Sequence, residues 1–129
     1  MSGSDVIQIR RSTGFSLKEA QEILPLVRRV TDEHRASVEG MISRLELISS
    51  QNTALIDQLE ASINSEIKCW QDKIRKLGGV PKGIWLVDFD SGAGYFCWKY
   101  PEDNILYWHS YADGFTKRRP VLQNGSSNS

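Results

Sequence analysis

Cysteine is scarce in this chain, with two residues, Cys69 and Cys97, among 129. They form no pair at metal-binding spacing and no disulfide-dense pattern. Both sit in apolar surroundings, "IKCWQ" and "YFCWK", where a cysteine reads as a small buried hydrophobe. Cys97 has no neighbouring base or helix terminus to activate its thiol, which argues against a nucleophile. Long apolar runs are also missing. No stretch approaches the roughly 20 residues of a membrane span, and "MSGSDVIQIRRS" lacks the apolar core of a signal peptide. A cytoplasmic protein without membrane contact is the expectation. The third absence is a surplus of one charge: 16 bases meet 16 acids. The balance is local as well, nine bases to ten acids over residues 12–79 and five of each over 80–129. A basic nucleic-acid binder shows its sign in one region, so nucleic acid is not the expected partner.

What is present divides the chain into a helical two-thirds and an aromatic, turn-rich third. Residues 1–14 read as a flexible or partly extended arm, and 122–129 ("LQNGSSNS") as a disordered tail. Helix one opens with a capping box, Ser16 as N-cap and Glu19 three residues on. Positions 17, 20, 24, 27, 31, 34, 38, 41, 45 and 48 then follow steps of three and four, and all but Thr31 and His34 are apolar. A seam of that length predicts a long helix packed on another helix, roughly 48 Å at about 1.5 Å per residue. Pro25 should bend it. "SSQN" at 49–52 is the expected break. Ile56, Leu59, Ile63, Ile67, Trp70, Ile74 and Leu77 carry the second helix, which stops at Gly78-Gly79 with Pro81 behind. Antiparallel pairing sets Thr31 against Trp70, Val38 against Ile63 and Val27 against Ile74. The helical hairpin is placed at 15–79.

"GIWLVDF", "YFCWKY" and "ILYWH" are aromatic and β-branched, separated by the turn sequences "DSGAG" and "PEDN". They predict a small three-stranded antiparallel meander over 80–121, one domain with the hairpin and α+β in class. With four-residue loops, Trp85, Val87, Phe89, Phe96, Trp98, Tyr100, Ile105, Tyr107 and His109 share one face. Ile84, Leu86, Asp88, Tyr95, Cys97, Lys99, Leu106 and Trp108 take the other. Loop parity decides that assignment, and a slip of one residue reverses it.

The stretches "FSLKEAQEILPLVRRV" and "GIWLVDF…YFCWKY…ILYWHSYADGFTKRRP" resemble an uncharacterised prokaryotic family, domain of unknown function 2203. The resemblance rests on Phe15 to Ala20, Leu24-Pro25, Val87-Asp88-Phe89, Cys97-Trp98, Tyr107-Trp108-His109, and Gly114-Phe115 with Arg118 and Pro120, and covers about residues 15–121. Family members usually carry Pro after the Asp-Phe. Asp90 stands there in this chain, which bears on the first hairpin turn. The resemblance implies the hairpin-plus-meander layout and no assigned activity.

The densest chemistry is "ILYWHSYADGFTKRRP". His109 suits proton exchange or metal ligation, but in a meander Asp88 lies two strands away, about 9–10 Å at 4.8 Å per strand. A shared ion is therefore not expected. No helix pair repeats Glu-x-x-His, so no metal and no cofactor are expected anywhere. A half-buried Asp88 needs a partner, and Arg118 or Arg119 bidentate to Asp88 or Asp113 would supply one. The interrupting pair Thr31 and His34 reads as a register device or a solvated point of the seam.

These readings lead first to a non-enzymatic, oligomeric interaction or scaffold module, a dimer as first guess. Leu17, Leu24, Val27, Val38, Leu45, Trp70, Trp85, Trp98 and Trp108 are its candidate interface. The rival is a small ligand- or anion-binding protein, or an enzyme, using Asp88, Tyr107, His109, Asp113, Arg118 and Arg119. A further alternative is single-stranded nucleic acid stacked on the aromatics beside "TKRRP". A packed corner favours the first reading; an open, anion-sized cleft over His109 favours the second.

Overall fold

The computed structural model describes residues 14–121. The arm expected over 1–14 (Gly14 apart) and the tail expected over 122–129 lie outside the described residues. Helix α1 spans Leu17–Glu46 and α2 Thr53–Lys76. The capping box forms as expected, the Glu19 backbone N–H donating to Ser16 Oγ at 3.0 Å and Ser16 N–H to Glu19 Oε1 at 2.9 Å. Pro25 stands inside α1 without ending it. Asn52 caps α2 by accepting from Leu55 N–H. Beyond Lys76 the chain turns at Gly78, φ +96°, a left-handed position that glycine takes without a Cβ clash.

Two polar contacts cross the hairpin. Trp70 Nε1–H donates to Thr31 Oγ1 at 2.8 Å, and His34 Nδ1 lies 2.6 Å from Glu66 Oε2. The Thr31–Trp70 opposition read from the seam is thus present. His34 meets a carboxylate of α2.

The sheet is antiparallel, with strands β1 (Val80–Pro81), β2 (Leu86–Asp90), β3 (Tyr95–Lys99), β4 (Tyr107–His109) and β5 (Arg119–Pro120) in chain order. A 3-10 turn at Phe115–Lys117 precedes β5. The sequence reading has three strands. The two extra ones are two-residue edges, too short to carry an alternation. The class is α+β as expected. One core joins both parts: Ala20, Leu24 and Val27 of α1, Trp70 and Ile74 of α2, and Val87, Phe89, Trp98 and Ile105 from the sheet side. Trp85 packs edge-on against Trp70, ring centroids 5.0 Å apart, and Phe15 against Phe89 at 5.4 Å.

The β2–β3 register follows a four-residue turn, Asp90 opposite Tyr95 and Asp88 opposite Cys97. The β3–β4 register does not. Cys97 faces Tyr107, Phe96 faces Trp108 and Tyr95 faces His109, one residue off the expected pairing. Tyr107 and His109 therefore join Asp88 and Cys97, while Trp108 joins Phe96 on the opposite face. The shift coincides with a departure from the ladder at Ile105. Gln21 of α1 donates from Nε2 to the Ile105 carbonyl at 3.2 Å and accepts its N–H at 2.9 Å. Ile105 is thereby held by the helix, and strand pairing resumes only at Tyr107.

Candidate functional site: a buried Asp–Cys–His corner

The shifted register builds a polar cluster under the closing segment. Asp88 on β2, Cys97 on β3 and His109 on β4 are 1%, 0% and 3% exposed. His109 Nε2 lies 3.1 Å from Asp88 Oδ2. The separation of 9–10 Å expected from strand spacing is wrong for these atoms. Both side chains lean over the small Cys97 between them, and the one-residue shift puts them on one face. Donor atoms of all three residues fall within 4.8 Å of one another.

The hydrogen bonds constrain where protons sit. His109 Nδ1 is 3.0 Å from the Ser110 carbonyl, which only accepts, so Nδ1 carries a proton. Nε2 then meets the carboxylate across a contact that requires a proton or a cation between the two atoms. Asp88 Oδ1 has no hydrogen-bond partner. Burial pushes the Asp88 carboxyl above its ordinary value, against the downward pull of His109, the Cys97 thiol and Lys82. Burial, with the charge of Asp88, pushes the Cys97 thiol up to about 12. A thiol held neutral in this way, with both imidazole nitrogens engaged elsewhere, is not an activated nucleophile.

Arg118 does not pair with Asp88 or Asp113. It forms a bidentate contact with Glu102, 3.1 and 2.7 Å, and its guanidinium lies between the rings of Tyr107 (4.1 Å) and Phe115 (4.3 Å). The register shift explains the exchange, since it presents Tyr107 as a platform while the "PEDN" turn offers Glu102. Arg119 lies over Trp108 at 5.6 Å. Asp113 is half-buried; its backbone N–H donates to Ser110, and it forms no ion pair among the described residues. Tyr111 locks the closing segment by donating to Asp90 at 2.6 Å and packing on Tyr95.

Of the six corner candidates, the structure brings Asp88 to His109 and Tyr107 to Arg118. Arg119 and Asp113 stand apart. Sequence reasoning passed over Cys97 and Glu102 as members of this corner. The alternation of "LVDFD" and "YFCWK" about a four-residue turn already sets Cys97 opposite Asp88; Glu102 left no comparable signal. Among the candidate interface residues, Leu24, Val27, Trp70 and Trp98 are buried in the chain's own core, with Leu17 and Trp85 packed against it. Val38 is buried in the hairpin, and Leu45 and Trp108 are half-buried.

Two surface clefts among the described residues lie elsewhere. One of about 500 Å³ is lined by Gln21, Pro25, Arg28, Arg29, Asp32 and Asp103, among others. Another of about 420 Å³ runs along the hairpin past Ser37, Met41, Ala61, Ser62, Ser65 and Glu66. Neither reaches His109. Among the described residues no helix is long and apolar enough to cross a membrane.

Fold and site together define a class: an α+β protein in which a helical hairpin docks on an antiparallel sheet with a closed Asp–Cys–His corner. Residues 14–121 match the family model described as an uncharacterized conserved protein, DUF2203, and the chain belongs to that family. No curated protein and no solved structure matches it.

Proposed function

We propose that this protein is a non-enzymatic interaction module that self-associates through the distal half of its helical hairpin. One observation carries the reading. The last buried residue of α1 is Val38, and α2 buries only Leu59 before Trp70. Past the Thr31–Trp70 and His34–Glu66 contacts no third layer from the described residues covers the helices. Met41, Leu45, Ile48, Leu55, Ile56 and Ile63 stay half-buried, Ile42 is 40% exposed and Leu47 87%. Two helices alone cannot bury an apolar stripe of ordinary width on each. A second copy, packed as an antiparallel four-helix arrangement about a two-fold axis, covers both stripes with the same residues. The small side chains Ser37, Ala61, Ser62 and Ser65 leave room for a close helix approach.

The corner supports the same reading by being closed: His109 is 3% exposed, and it lines neither of the two clefts described above. Light scattering behind a sizing column tests the proposal. The expected result is a dimer that Ile42→Glu and Leu45→Glu convert to a folded monomer. A monodisperse wild-type monomer at high micromolar concentration would overturn it.

A further inference from the structure

We propose that Asp88, Cys97 and His109 form a closed binding site for a zinc-type divalent cation that staples strands β2, β3 and β4 together. This site is independent of the hairpin surface. Three observations converge on it.

The first is the donor set. A carboxylate, a thiol sulfur and an imidazole nitrogen from three adjacent strands lie within 4.8 Å of one another, all buried. Carboxylate and imidazole admit many ions, but the sulfur excludes calcium and magnesium and selects a borderline-soft ion such as zinc. In a tetrahedral zinc site, bonds of about 2.0–2.3 Å put the donor atoms about 3.3–3.6 Å apart. The His109 Nε2 to Asp88 Oδ2 separation is already 3.1 Å. The sulfur lies within 4.8 Å of both atoms, so binding would draw it closer by at most about 1–1.5 Å.

The second is the orientation of His109. Its Nδ1–H is donated to the Ser110 carbonyl, which leaves Nε2 as the nitrogen turned to the cluster, where an ion would take the place of any proton held between it and Asp88. A metal-ligating histidine is held in this way, with the far nitrogen bonded to a carbonyl or carboxylate that fixes tautomer and ring plane.

The third is Asp88. Its side chain is 2% exposed and Oδ1 has no hydrogen-bond partner. Such an atom inside a packed sheet carries a desolvation cost that a cation would remove. Asp88 Oδ2, Cys97 Sγ and His109 Nε2 supply three ligands, and a buried water donating to Asp88 Oδ1 would complete the tetrahedron in a site too closed to admit substrate. Coordination deprotonates the thiol, so cation, carboxylate and thiolate sum to zero charge. The nearby Arg118 charge is matched separately by Glu102.

The test uses the full-length chain, unfolded and refolded with Co²⁺ or Zn²⁺ and then washed with a mild chelator. Elemental analysis should find about one ion per chain, and the Co²⁺ form should show thiolate-to-metal charge transfer in the near ultraviolet with tetrahedral visible bands. Cys97→Ser and His109→Gln should lose both signals. Cys69→Ser, which removes the exposed cysteine, and His34→Gln should keep them. Circular dichroism of the helical hairpin monitors folding. Should the corner variants fail to fold, the wild-type spectrum decides alone. Retained metal below about a tenth of an equivalent, or a charge-transfer band that disappears with Cys69→Ser, overturns the proposal and leaves a shared proton between Asp88 and His109.

Discussion

Gln21 holds Ile105 by both of its backbone polar groups, accepting the N–H at 2.9 Å and donating to the carbonyl at 3.2 Å. These residues are 84 apart in sequence, and the bonds lie where the chain leaves the ladder before β4, the strand that carries His109. Gln21→Ala should cost about 1–3 kcal/mol, because two part-buried backbone groups lose their partner. Gln21→Glu, which keeps the acceptor only, should cost less. Urea unfolding followed by fluorescence measures both, and a neutral Gln21→Ala would show that β4 does not depend on this clamp.

The Asp88–His109 pair calls for a double-mutant cycle. Removing either partner alone should cost about 3–5 kcal/mol, since it strands a buried polar or charged group. Asp88→Leu with His109→Leu should cost clearly less than the sum of the single changes. Additive costs, measured by denaturant unfolding in chelator-treated buffer, would mean that the contact carries no coupling energy.

Thr31→Val should destabilise by about 1–3 kcal/mol, because Trp70 Nε1–H then lacks a partner in a fully buried site. Adding Trp70→Phe to Thr31→Val should cost less than the two single changes summed, since no donor is left stranded. Thermal unfolding of the three variants checks this ordering.

The two thiols should separate by reactivity. Cys69 is exposed, and Cys97 is buried with its thiol pushed up to about 12. At neutral pH a thiol reagent should titrate one group per folded chain and the second only on unfolding. Cys69→Ser should abolish the fast reaction. Fast modification of Cys97 would show that the corner opens readily.

Asp32 gives a pH signature. The Tyr100 hydroxyl, donating at 2.5 Å, and then Arg35 hold its carboxyl below the ordinary 3.8. A depressed folded value contributes stability that is present above the unfolded value and lost as pH falls through the folded one. Wild type should therefore lose this contribution below about pH 3.8. In Tyr100→Phe the Asp32 titration, followed by carboxyl NMR, should move up toward the ordinary value. An unmoved titration would assign the shift to Arg35 alone.

Much of the fold was legible in the sequence where the determinants are local. Ser16 and Glu19 cap α1 as their spacing implies, and Asp90 opposite Tyr95 follows from a four-residue turn. Thr31 and Trp70 were opposable from the helical period alone. The corner was only half legible. Asp88 and Cys97 share a face by simple alternation, but Tyr107 and His109 were assigned to the wrong face and Arg118 to the wrong acids. The two-residue strands β1 and β5 are too short for any periodic signal.

What the sequence by itself determined is what a few neighbouring residues can enforce: helix boundaries through caps and glycine, the seam through its period of three and four, and one hairpin register through turn length. Tertiary structure decided the rest. A side chain on α1 bonds Ile105 where it stands outside the ladder, and the side-chain period of two turns the one-residue displacement into a change of face for all of β4. The buried Asp88–Cys97–His109 corner depends on that one-residue displacement, and the Gln21–Ile105 contact beside it lies in no window of sequence around His109.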